Sequence, residues 1–125
     1  MATSPTKVAI LLVDHGSTRE EANRCLPQIA ELLQARIGAD ILVTYAHMEL
    51  ASPNIAQAIA RCRKSGITDL VVHPYMLAPG RHASTDIPNL VADAAYPGLK
   101  VRITDALGVH PALVDAIMDR CGVVP

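Results

Sequence analysis

Aromatic residues are nearly absent from this 125-residue sequence, which contains three Tyr and no Phe or Trp although half of its residues are hydrophobic. Its core must therefore be built from Ala, Val, Leu and Ile. An excess of either charge is also missing: 11 Lys and Arg face 12 Asp and Glu, a formal net charge of -1. With no basic stripe, nucleic acid is excluded as the main partner. No apolar run reaches the roughly 18 residues that a membrane span requires. The opening "MATSPTK" lacks the apolar region of a signal peptide. Cys25, Cys62 and Cys121 are odd in number, widely spaced and form no CxxC motif. They read as reduced thiols in a cytosol-like compartment, so the expected location is the cytoplasm. No linker or low-complexity tract interrupts the chain. A single domain over residues 1–125 is expected, with 1–6 flexible.

What the sequence does contain is an alternation of strand-like and helix-like segments. "KVAILLV" (7–13) is a continuous apolar run of strand length, as expected for a strand buried on both faces. From Arg19 to Ile37, apolar residues recur at helical spacing, with Pro27 expected to kink the helix or split off its first turn. "DILVTYA" (40–46) is a second strand. A helix should follow, capped by Ser52, with Pro53 at its first position and Gly66 at its end. "TDLVVHPY" (68–75) is the third strand, and Thr85 is expected to cap a helix from Asp86 to Ala95. "LKVRIT" (99–104) is the fourth strand, and Pro111 opens a last helix running to about Arg120. Strands alternating with amphipathic helices imply an α/β domain, a four-stranded parallel sheet with helices on both faces in three layers.

Ligands of parallel sheets bind outside the carboxyl ends of the strands. All five histidines lie at or just beyond such ends: His15 after the first strand, His47 after the second, His73 and His82 around the third, His110 after the fourth. Each also has a plain reading. His15 can simply terminate a strand, His47 and His73 can be core residues, and His110 can begin a helix. Ser17 and Thr18 can be ordinary helix caps. Glu49 lies between Met48 and Leu50, and a carboxylate between apolar residues asks for a partner. His82 sits beside Arg81 in a loop, where histidines tend to be functional. Imidazoles and a carboxylate from separate loops suit an open site for Fe, Co, Ni or Zn, with room left for a substrate. The residues alone support a metal or anion site in a small α/β domain.

The segments "VDHGSTREEAN", "AHMELASPNI", "PYMLAPGRHASTDIPNL" and "ALGVHPALVDAIMDR" together resemble the sirohydrochlorin chelatases, the small class II tetrapyrrole chelatases. The resemblance runs from about Lys7 to Arg120, and the wording "DHGS", "HMELA" and "PGRH" is most similar to the siroheme ferrochelatase branch, plant-type versions included. It implies a chelatase-type three-layer fold and insertion of Fe²⁺ into sirohydrochlorin for siroheme, with cobalt or nickel insertion for cobalamin-type cofactors as the alternative. The family's two active-site histidines match His15 and His82, and Glu49 matches a metal-contacting glutamate. These three are the expected catalytic and metal residues. A plastid stroma is the alternative location if a transit peptide has been trimmed. Members of this length are expected to pair as homodimers.

The implied reaction exchanges two pyrrolic protons for one divalent cation in a polycarboxylated macrocycle. Imidazoles can bind metal when neutral or take up a proton, though one nitrogen cannot do both at once. Ser17, Thr18, Arg19, Arg81, Ser84 and Thr85 are expected to hold peripheral carboxylates. Tyr75, Met76 and Leu77 are expected to face the macrocycle. No tightly bound cofactor is expected, since the divalent metal is itself a substrate. Two other classes stay open at this level: a metal-delivery protein without catalysis, and an interaction module whose histidines are incidental.

Overall fold

The first strand sets the architecture. In a computed structural model, which describes residues 6–78 and 80–124 and leaves out the side chains of residues 81–83, β1 (Val8–Asp14) lies inside a parallel sheet. Leu11, Leu12 and Val13 are buried on its two faces, which is why the run is continuously apolar instead of alternating. β2 (Ile41–His47) and β3 (Asp69–Pro74) flank it, and β4 (Lys100–Ile103) completes the order β2-β1-β3-β4. Every pairing is parallel, so all four carboxyl ends share one edge. The α/β fold expected from the sequence is present. The expectation for residues 1–6 falls almost wholly outside the described residues.

Two helical layers cover the sheet. On one face α3 (Ile55–Lys64) and α4 (Arg81–Ala94) close the larger core, in which Leu11, Val13, Ile59, Leu70, Val72 and Ile87 are buried together. On the other face α2 (Cys25–Ile37) packs Leu26 and Ala30 against Leu12, bordered by Val43, Tyr45 and Tyr75. Tyr45 and Tyr75 are only half-buried, so aliphatic packing carries both cores, as the scarcity of aromatics requires. The last helix, α5 (Pro111–Cys121), behaves differently: it has no buried residue and makes only marginal contact with the other helices and strands.

The expected division of the first helical stretch is present, whereas two helix starts depart from the sequence expectations. The first helical stretch is divided at Arg24 into a single turn, α1 (Glu20–Asn23), and α2. Pro27 is the third residue of α2, within the turn whose N–H groups lack helical partners. Ser52 does not cap α3. Its peptide bond to Pro53 is cis, and Asn54 is the cap, accepting a hydrogen bond from the Gln57 N–H at 2.8 Å while the Gln57 side chain accepts from the Asn54 N–H. Thr85 is no cap either. α4 begins at Arg81 behind Gly80, and both the Ser84 N–H and its hydroxyl donate to the Gly80 carbonyl, so the helix is already established one turn before Thr85. Pro88 then lies mid-helix, where it removes only the hydrogen bond to the Ser84 carbonyl.

Candidate functional site

Strand register places the site. Asp14, the last residue of β1, is opposite His47, the last of β2. Beyond them the chain segments stay joined: the Met48 N–H donates to the Asp14 carbonyl at 2.8 Å and the Glu49 N–H to the His15 carbonyl at 3.1 Å. Gly16 completes the turn with φ +84°, and a Cβ there would stand 1.8 Å from the Glu49 carbonyl oxygen. Only glycine allows that approach. The His15 and Glu49 turns are thus fixed side by side, and both residues are exposed.

The rest of the first turn is held from within. The Ser17 N–H donates to Asn23 Oδ1 at 2.9 Å, and Asn23 Nδ2 donates back to the Ser17 carbonyl at 2.7 Å. The Ser17 hydroxyl accepts from the Arg19 N–H at 3.0 Å, so it serves the local turn first. Thr18 and Arg19 are exposed beside it. Facing this turn, Tyr75, Met76 and Leu77 leave the end of β3, where the Tyr75 N–H donates to the Val13 carbonyl. Between them lies an open cleft of about 400 Å³, lined on one side by Asp14, His15, Ser17 and Asn23 and on the other by Tyr75, Met76 and Leu77. Met76 is the dividing wall. Its far side borders a second cavity of about 430 Å³, with Ser84, Ile87, Thr104 and Asp105 in the lining.

The structure therefore brings His15, Ser17, Tyr75, Met76 and Leu77 into one cleft and keeps Glu49 next to His15 through the backbone. Ser84 faces the neighbouring cavity instead, because α4 starts on the other side of Met76. Thr85 is exposed on α4. His82 and Arg81 occupy the first turn of α4, but their side chains lie outside the described residues. Among the described residues, no three His, Cys, Asp or Glu side chains gather closely enough to hold a metal ion.

The other described histidines are accounted for locally. His73 Nδ1 is 2.7 Å from the Thr104 hydroxyl. Burial pushes its pKa down, partly opposed by a hydrogen bond with the Asp105 backbone. His110 caps α5, its Nδ1 accepting from the Ala112 N–H at 3.0 Å. His47 is 2 % exposed and its Nδ1 is 2.6 Å from Asp14 Oδ1. Among the described residues, the His15 ring makes no hydrogen bond, which leaves both its nitrogens available to a ligand or a proton.

Residues 9–122 match the family model described as CbiX. The chain belongs to the CbiX family. It is 45 % identical over 113 residues to the chloroplastic sirohydrochlorin ferrochelatase of Arabidopsis thaliana, covering 89 % of this chain and 50 % of that one. With the sirohydrochlorin cobaltochelatase of Sulfurisphaera tokodaii it shares 30 % identity over 111 residues, covering 89 % of this chain and 88 % of the other. Among solved structures, the sirohydrochlorin chelatase SirB from Bacillus subtilis subspecies spizizenii, in complex with cobalt, superimposes with a TM-score of 0.85 at 31 % identity. That match covers 94 % of this chain and 50 % of SirB. The chain thus spans half the length of the Arabidopsis and Bacillus relatives and most of the Sulfurisphaera one.

In this CbiX-family chain, the strand ends hold one feature that the sequence did not disclose. His47 reads as structural from the sequence, but its partner Asp14 falls one residue past the apolar run 7–13. The signal was parity. Asp14 and His47 each fall on the face where Leu12 and Tyr45 point, two residues further along their strands.

Proposed function

We propose that this chain inserts a divalent metal ion, Fe²⁺ foremost, into sirohydrochlorin with release of two protons. The observation that carries this reading is the exposed, unbonded His15 ring, presented by a glycine turn beside Glu49 and over an apolar-walled cleft, in a chain of the CbiX family. The name of the Arabidopsis relative supports iron. That of the Sulfurisphaera relative favours cobalt as the second reading. Both cations accept imidazole and carboxylate donors.

In this mechanism the metal is a substrate. His15 receives it through a neutral ring nitrogen, and Glu49 lends a carboxylate to the same cation or orients the imidazole. His82, on the first turn of α4, supplies the second imidazole. Metal binding makes both pyrrolic N–H groups more acidic: the histidine that has released the metal takes up one proton, and the other passes to solvent through the open cleft. Tyr75, Met76 and Leu77 form the apolar wall for the macrocycle. Thr18, Arg19 and Arg81 meet its carboxylates, joined by Ser17 where its hydroxyl can turn outward. Ser84 and Thr85 take part only if a carboxylate arm reaches past Met76. The exchange involves no change of oxidation state, so no resident redox cofactor is required.

The partner is a second copy of this chain. Leu77 stands 69 % exposed at the mouth of the cleft and also lines an apolar groove of about 530 Å³ with Val109, Leu113, Val114 and Ile117 of α5 and its approach. A surface of this kind asks for cover. Relatives twice as long have a further stretch of equal length available for that role. The chloroplastic Arabidopsis relative supports the plastid stroma as compartment. No helix among the described residues is long and apolar enough to cross a membrane.

Anaerobic absorbance-monitored insertion of Fe²⁺ and Co²⁺ into sirohydrochlorin tests the reaction. Wild-type protein should exceed the spontaneous rate, and His15→Ala should lower kcat at least about a hundredfold. A His15→Ala variant as fast as wild type sinks the assignment.

A further inference from the structure

We propose that the Asp14–His47 pair is a positioning device that holds the His15 and Glu49 turns together for metal insertion. The inference rests on the reaction proposed above but concerns residues that touch neither metal nor macrocycle in that scheme. Asp14 Oδ1 is 2.6 Å from His47 Nδ1 and also accepts the Gly16 N–H at 3.0 Å. An oxygen accepting from both sides requires the His47 proton to sit on Nδ1. His47 is itself anchored, its main-chain N–H donating to the Pro53 carbonyl at 2.8 Å. One carboxylate therefore ties the β1 turn, through Gly16, to the buried end of β2, from which Glu49 follows two residues later.

The placement gives this bond leverage. His15 lies between Asp14 and Gly16: the Asp14 side-chain oxygen fixes the peptide unit that follows the proposed metal contact, and the Asp14 main-chain carbonyl, accepting from the Met48 N–H at 2.8 Å, fixes the one that precedes it. The Glu49 N–H then closes on the His15 carbonyl at 3.1 Å. Removing the carboxylate leaves the Gly16 N–H and a buried imidazole N–H without their acceptor, which costs more than the bonds themselves are worth. The turn can regain water for those donors only by opening, and opening separates His15 from Glu49. Misplacement of about an ångström at a reacting group is enough to cost roughly a hundredfold in rate.

Two substitutions separate positioning from plain stability. Asp14→Ala removes the acceptor, whereas Asp14→Asn keeps an oxygen for both donors. Amide hydrogen exchange should show Gly16 and Glu49 losing about tenfold or more protection in Asp14→Ala, with the centres of β1 and β3 unchanged and Asp14→Asn restored. In the insertion assay, Asp14→Ala should lower kcat about tenfold to a hundredfold with the sirohydrochlorin KM within about twofold, and Asp14→Asn should recover most of the loss. If Asp14→Ala does not fold, His47→Leu fills the buried site and should loosen the same two amides to a smaller degree. Unchanged Glu49 protection in these variants, or Asp14→Asn as impaired as Asp14→Ala, overturns the proposal. Wild-type protein that inserts no metal while Asp14→Ala still frees the Gly16 and Glu49 amides overturns the reaction and leaves the positioning role standing.

Discussion

The two ends of the sheet order are built on opposite principles. At the β2–β1 end, consecutive turns are interlocked by backbone and side-chain hydrogen bonds, and a glycine lies against the neighbouring carbonyl. At the β4 end, the strand is mostly exposed and α5 follows with no buried residue. The first region is tied together by bonds within one chain; the second presents apolar side chains that nothing among the described residues covers. The difference indicates a division of labour. Under the proposed function, chemistry that needs groups held to a fraction of an ångström would sit where the fold is already closed, and the open end would be left for association.

The largest effect should come from damaging the closed end at its tightest contact. In Gly16→Ala the added Cβ meets the Glu49 carbonyl oxygen at 1.8 Å and the residue must also keep φ +84°. Left-handed backbone at a non-glycine residue costs about 1–3 kcal/mol, and relieving the clash requires the Glu49 turn to move. We expect a loss of about 2–4 kcal/mol in urea unfolding and insertion activity near the spontaneous rate. A near-normal Gly16→Ala enzyme would mean that the interlock is dispensable.

This contrast between the two ends also decides what could be read from the sequence. The sheet was legible because apolar runs of strand length, such as 8–13 and 70–72 within 68–75, are each followed by a helical period. His15 and Glu49 were legible as candidates because they follow strand ends, where ligands of parallel sheets bind. Yet His47, His73 and His110 at the same edge turn out to have local structural partners. The α3 start was misplaced at Ser52 because two plausible caps lie two residues apart, and only the reciprocal Asn54–Gln57 pair distinguishes them. The α4 start was misplaced because 80–84 reads as loop and Thr85 offered a cap the helix did not need, whereas the helix begins directly behind Gly80. The Asp14–His47 pair depends on register between strands more than 30 residues apart, which a linear reading does not supply. The loose packing of α5 was equally hidden, since its period of apolar residues looks the same whether the covering surface belongs to its own chain or to another.

A smaller effect is expected at the open end, where the same contrast can be sharpened. Ile117 is 62 % exposed, so Ile117→Asp should change the stability of a single chain by no more than about 0.5 kcal/mol. Association should suffer instead. Sedimentation or light scattering should report a wild-type dimer, with the dimer dissociation constant raised about tenfold or more in Ile117→Asp. Insertion activity should then become concentration-dependent, because Leu77 at the mouth of the cleft shares the α5 groove. A monomeric wild type with full activity would remove the second copy from the site.

The smallest effect belongs to the border between the two ends, at His73 on β3. Burial favours its neutral ring, so the folded-state pKa lies below the ordinary 6.5. Between those two values the unfolded chain binds more protons than the folded one. The stabilisation from a neutral His73 is therefore complete above pH 6.5 and is lost as pH falls through that value towards the folded-state pKa. His73→Gln can keep a hydrogen bond with Thr104 but cannot titrate. Urea midpoints measured at pH 7.5 and 5.5 should fall less in the variant than in wild type, and the variant-to-wild-type difference isolates His73 from every other group. Equal slopes would show that the partly exposed ring ionises without cost, placing His73 with the open end of the molecule and not the closed one.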